Sequence, residues 1–149
     1  MSEVRFYHLQ KWPLERALPQ LLAKVLERGH RAVLMAGSQE RVEALNALLW
    51  TYEQRSWLPH GSARDGDPQA QPIFLTSERE NPNGADVLVL VDGVSVDDAG
   101  DFAMVLDMFD GRDDAAVQAA RARWRAYQST GNTITYWQQT DAGGWEQQA

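Results

Sequence analysis

The sequence predicts an α/β domain of three layers, with helices covering both faces of a largely parallel central sheet. Three observations carry that prediction. Short apolar runs alternate with stretches of helical periodicity from the N-terminus onward. The links between the early elements are short, which favours parallel strands joined by crossover helices. The most apolar run, Val87 to Val91, lies inside the chain with other strand signals on both sides.

Each element has its own justification. Val4 to Leu9 is rich in residues that suit a pleated surface and reads as the first strand. A helix follows, with Leu14, Leu18, Leu21, Leu22, Val25 and Leu26 at three- and four-residue spacing and Gly29 as its stop. Pro13 is tolerated in a first turn, whereas Pro19 moves the expected start of regular helix to about Ala17 or Leu18. Arg31 to Ala36 is a short strand of the kind buried on both faces. Ser38 then caps a second helix running to about Trp50, with Val42, Leu45, Leu48 and Leu49 as its apolar stripe. Pro59 to Pro72, crowded with Gly, Pro, Asp and Gln, reads as a long exposed loop. Strands are expected at Pro72 to Thr76, Asp86 to Val91, the latter at the centre of the sheet, and Ala103 to Phe109. A helix from about Asp113 to Ser129 and a β-branched, aromatic strand at Thr133 to Trp137 complete the domain. Residues 1–139 are therefore read as one domain, and 140–149 as a polar tail expected to fray.

Composition narrows the function. The chain has 149 residues, 44% hydrophobic and 23% charged, which is the make-up of an ordinary globular protein. It has no cysteine, so disulfides, thiolate metal sites and cysteine nucleophiles are excluded. With no leader signal and no run of about 18 apolar residues, a cytoplasmic protein without membrane contact is expected. The formal net charge of -7 opposes direct tight binding to nucleic acid. Lys11 and Lys24 are the only lysines among the 14 basic residues. The many arginines matter locally, because a guanidinium is a planar fork that matches a carboxylate or phosphate.

The sequence holds no constellation for catalytic or cofactor chemistry. Neither lysine sits in a Walker-type loop, and Ala36-Gly37-Ser38-Gln39 lacks the glycine spacing that cradles pyrophosphate. The topology is thus Rossmann-like without a phosphate-binding loop. Val87 to Asp92 looks like the strand and acid that hold magnesium in P-loop enzymes, but without a lysine partner it reads as a core strand ending in a turn aspartate. His8, His30 and His60 have no metal-ligand spacing, so no metal and no cofactor is expected. The pairs Asp97-Asp98 and Asp113-Asp114 stand where helices or turns begin and are read as caps. No serine occupies a nucleophile elbow.

What remains is the helix around Ala120-Arg121-Ala122-Arg123-Trp124-Arg125-Ala126-Tyr127. Val117, Arg121, Trp124, Arg125 and Gln128 share one face, and Ala116, Ala120, Arg123 and Tyr127 another. Either Trp124 is core with a solvated arginine rim, or an indole between two guanidiniums forms an anion site. Three arginines within five residues repel one another unless an anion relieves them, which favours the second reading. Trp50 and Tyr52, with Trp57-Leu58-Pro59 just beyond, are either core or anchors for a partner. Trp12 and Trp137 are read as packing.

Taken together, Val4 to Leu9, Arg31 to Ala36, Ala47-Leu48-Leu49-Trp50, Trp57-Leu58-Pro59-His60 and Ala120 to Tyr127 resemble, in order, the chi subunit family of bacterial DNA polymerase III. The resemblance implies a non-catalytic α/β/α protein that links the clamp loader, through a psi subunit in a one-to-one heterodimer, to single-stranded-DNA-binding protein. It places the acidic C-terminal tail of that protein, which ends in phenylalanine, on Arg121, Trp124 and Arg125, with Tyr127 and Val117 beside them. By motif position Arg121 keeps the family arginine, Trp124 replaces a tyrosine and Arg125 replaces a lysine. Val117 and Gln128 stand where relatives carry a lysine and an arginine. The resemblance places the psi contact on Trp50, Trp57 and Pro59. An alternative class is a RecA-like nucleotide-binding domain, suggested by Val33 to Ser38 leading into the helix at Glu40 to Leu45.

Overall fold

The computed structural model describes residues 3–10, 12–51, 60–62, 67–96, 102–142 and 144–148, with the side chains of Trp50 and Thr51 excepted. Its elements in chain order are β1 (Glu3–Leu9), α1 (Leu14–Glu27), β2 (Ala32–Met35), α2 (Gln39–Thr51), β3 (His60–Ser62), β4 (Ile73–Thr76), β5 (Val87–Leu90), β6 (Met104–Asp110), α3 (Asp114–Ser129), β7 (Thr133–Gln139) and β8 (Trp145–Gln147). The strands form one sheet in the order β3-β4-β2-β5-β6-β1-β7-β8. All neighbours are parallel except β7 and β8. The sheet is therefore largely parallel, as expected, and β5 lies in its interior.

Strand alternation divides the core between two faces. Tyr7, Leu34, Leu75, Val89, Leu106 and Met108 pack beneath α1 and α2, meeting Leu18, Leu22, Val42 and Leu45. Phe6, Val33, Leu88, Val105 and Phe109 face the other way, toward Ala120 and Tyr127 of α3. Every residue of β2, β4 and β5 is buried, as parallel strands covered on both faces require. Fully burying a leucine or phenylalanine contributes about 1.5–3 kcal/mol, so these strands carry much of the stability.

Four local results depart from the sequence reading. Regular helix begins at Leu14 rather than near Ala17, and the buried Pro19 lies inside α1. The loss of one early hydrogen bond is offset by packing along the helix's apolar face. Within the expected 59–72 loop, His60–Ser62 adds a parallel edge strand to β4, and Pro68–Ala70 forms a 3-10 turn. The tail does not simply fray: Trp145–Gln147 pairs antiparallel with Trp137–Gln139. Its anchor is the Trp145 ring, edge-on to Tyr7 at 4.8 Å.

The helix starts follow the capping expectation. The Arg41 amide donates to Ser38 Oγ at 3.1 Å, and the Ala115 amide donates to Asp113 Oδ1 at 3.0 Å. Asp97 and Asp98 lie outside the described residues. Asp92 stands in a turn at φ 58°, where its carboxylate accepts from Arg41 Nε at 2.9 Å. Each histidine has a structural partner: His8 the Tyr136 hydroxyl, His30 the Asp86 carboxylate, and buried His60 the Asn46 carbonyl oxygen. Among the described residues, no helix is long and apolar enough to cross a membrane.

Candidate binding cleft beneath the third helix

Parallel register brings three strands to one place under α3. Phe6 of β1 lies opposite Asp107 of β6 and Tyr136 of β7, and His8 lies opposite Phe109. Strand alternation points these side chains to the α3 face. Phe6, His8, Phe109 and Tyr136 floor a cleft of about 410 Å³, walled on the helix side by Val117, Arg121, Trp124 and Arg125.

The two guanidiniums occupy the outer rim. Arg121 and Arg125 are exposed and make no ion pair among the described residues, whereas Trp124 is half-buried between them. The Trp124 ring packs on Phe6 at 5.4 Å and meets Tyr136 at 6.2 Å. One part of the indole is therefore core and another part lines the cleft. Burial raises the Tyr136 phenol above its ordinary range, and the nearby Arg121 charge pulls it down. Chemically the cleft offers an apolar slot with two free cations at its mouth, an arrangement suited to a carboxylate-bearing apolar group.

Arg123 behaves differently from its neighbours. It is 8% exposed and faces the sheet, where Nε and a terminal nitrogen donate to the Asp107 carboxylate at 2.6 and 2.9 Å. Desolvation is the largest influence on that carboxyl and raises it, with both Arg123 hydrogen bonds pulling the other way. The repulsion expected of three clustered arginines is thus relieved partly from inside the protein.

Of the residues expected at the tail site, Val117, Arg121, Trp124 and Arg125 come together around one cleft. Tyr127 does not join them. It is 4% exposed, its ring lies against Phe6 at 6.1 Å, and its hydroxyl accepts from the Val96 amide at 3.5 Å, all within the core. Its helical position, seven residues beyond Ala120, turns it to the sheet. Sequence reasoning missed Phe6, His8, Phe109 and Tyr136 as cleft residues. Alternation along β1 pairs Phe6 with His8, but only the sheet order sets both beneath α3. Trp57 and Pro59 lie outside the described residues, and so does the side chain of Trp50.

The family described as DNA polymerase III chi subunit, HolC, matches residues 1–135. The probable DNA polymerase III subunit chi of Rickettsia prowazekii (strain Madrid E) is 35% identical over 91 residues, covering 61% of this chain and 55% of the relative. The chain thus spans little more than half of that relative's length. The DNA polymerase III subunit chi of Escherichia coli (strain K12) is 25% identical over 127 residues, covering 83% of this chain and 86% of the relative. With the family matched across nine-tenths of its length, this chain belongs to the DNA polymerase III chi subunit family.

Proposed function

We propose that this chain is a non-catalytic accessory subunit of the DNA polymerase III clamp loader, and that its α3 cleft takes the acidic C-terminal tail of single-stranded-DNA-binding protein. The observation that carries this reading is the pair of unpaired cations, Arg121 and Arg125, at the mouth of an apolar slot beside Trp124. The terminal phenylalanine of the tail fills the slot, and its carboxylates meet the two guanidiniums. In the same reading, Trp50, Trp57 and Pro59 form the contact with a psi subunit, which joins the chain to the clamp loader in the cytoplasm.

Titration with the cognate tail peptide at two salt concentrations tests the cleft. A sheltered charge-assisted hydrogen bond contributes about 1.5–3 kcal/mol, so Arg121→Ala should weaken binding roughly tenfold or more. Higher salt should weaken it as well. Unchanged affinity in both Arg121→Ala and Arg125→Ala, with the fold intact, removes the cleft from the function. Trp50→Ala and Trp57→Ala should abolish psi capture while leaving tail affinity in place.

A further inference from the structure

Two of the three strands that floor the cleft, β1 and β7, carry a second aromatic and cationic surface on their opposite face. Phe6, His8 and Tyr136 face α3, while the alternate residues Arg5, Tyr7 and Trp137 face the C-terminal end of α1. Tyr7 stacks on Trp137 with ring centres 6.3 Å apart, and Trp145 of β8 closes the group. A cavity of about 250 Å³ opens against these rings, with Lys24 and Arg28 at its rim. Arg5 is bound to Glu3 and His30 to Asp86. Lys24 and Arg28 are exposed and make no ion pair among the described residues. Among the described residues no carboxylate lines this cavity, in a chain with 21 acidic residues against 14 basic ones.

We propose that this surface is a second docking site, for an acidic peptide segment that carries an aromatic side chain. Charge complementarity identifies the occupant. Lys24 and Arg28 stand four residues apart at one end of α1, as Arg121 and Arg125 do on α3, and each pair lies beside rings supplied by β1 and β7. The negative end of the α1 dipole makes the two cations tolerable there but leaves their outward charge unneutralised. A long polyphosphate is the poorer match. The net charge of -7 repels it along its length. A short peptide brings only a few carboxylates, all to the cationic rim. The inference stands on this face alone and does not need the tail to bind under α3.

A short synthetic peptide of aspartates ending in phenylalanine, titrated into the full chain and followed by indole N–H resonances, tests it. The resonances are assigned by tryptophan-to-phenylalanine substitutions. In the Arg121→Ala/Arg125→Ala background, the Trp137 and Trp145 signals should still move. Adding Lys24→Ala and Arg28→Ala should weaken that response roughly tenfold or more, and salt should weaken it too. Still signals at Trp137 and Trp145, or a response undiminished by the loss of Lys24 and Arg28, overturn the proposal. So does an oligothymidylate that binds this face when the peptide does not. In the unsubstituted chain, movement at Trp137 and Trp145 with none at Trp124 supports this site while removing the α3 cleft from tail binding. The reverse pattern removes this site and leaves the cleft.

Discussion

Arg123 and Asp107 show how one residue's role depends on which way its helix turns. Asp107 sits between the apolar Leu106 and Met108 of β6, 1% exposed, and Arg123 reaches it with two hydrogen bonds. Removing one partner of a buried pair strands the other charge, so Arg123→Ala should lower unfolding free energy by about 3–5 kcal/mol in urea denaturation. Replacing both, as Asp107→Leu with Arg123→Met, should recover most of that loss; a double variant as weak as the single one contradicts this account. His8 gives a pH-dependent counterpart. Burial disfavours its charged form and holds its pKa below the ordinary 6.5, while the Gly111 backbone and Asp110 pull upward. As pH falls, the unfolded chain therefore takes up the proton first. The stability linked to neutral His8 is complete above about pH 6.5 and is lost as pH falls through that value toward the lower folded pKa. Denaturation midpoints across this range should fall more steeply for the native chain than for His8→Gln. Identical slopes would show that His8 is not the titrating group. The helix stripe Ala116, Ala120, Arg123, Tyr127 was legible in the sequence, but its partner Asp107 was not, since nothing local joins positions in different elements.

At the scale of elements, the turn between β6 and α3 decides where the cleft-forming helix begins. The Gly111 amide donates to the Leu9 carbonyl oxygen at 2.7 Å, so β6 and β1 end together before α3 starts at its Asp113 cap. A Cβ on Gly111 would overlap the His8 ring and lie 2.7 Å from the Leu9 oxygen. Gly111→Ala should therefore cost about 1–3 kcal/mol through forced displacement, read as a lower thermal midpoint. A midpoint equal to that of the native chain would mean that the turn relaxes freely. Gly111 was legible as a break in the pattern, whereas the close approach that demands glycine comes from β1, more than a hundred residues earlier. Two short strands escaped sequence reading for a related reason. His60–Ser62 and Trp145–Gln147 are three residues each, too short to display an alternation, and they exist as strands because a neighbour's edge pairs with them.

For the whole molecule, the crevice at the C-terminal edge of the sheet is not the one that its chemistry favours for binding anions. The C-terminal ends of β1 and β6 and the starts of α1 and α3 surround about 560 Å³ of space, where folds of this kind often hold nucleotides. Here Glu15, Asp92, Asp110 and Asp113 line it, and Arg41 is already bound to Asp92 and Glu15. ATP should accordingly leave the melting temperature unchanged and release no phosphate. A clear ATP-dependent stabilisation with turnover would favour a RecA-like enzyme instead. Among the described residues, two pairs of cations that make no ion pair lie elsewhere, one pair on each face of the sheet, so an acidic molecule still presents two local positive surfaces.

The sequence by itself determined the layers, the parallel strands, the three main helices and the face that joins Arg121, Trp124 and Arg125. Those features follow from periodicity, capping and turn chemistry, which act over a few residues and leave a local pattern. Tertiary structure alone decided that Phe6, His8, Phe109 and Tyr136 complete the cleft, that Tyr127 belongs to the core, and that Arg123 answers Asp107. These outcomes depend on strand order and register, which set residues from β1, β6 and β7 side by side. Such pairings are fixed by burying the whole sheet at once, and no short stretch of sequence contains them.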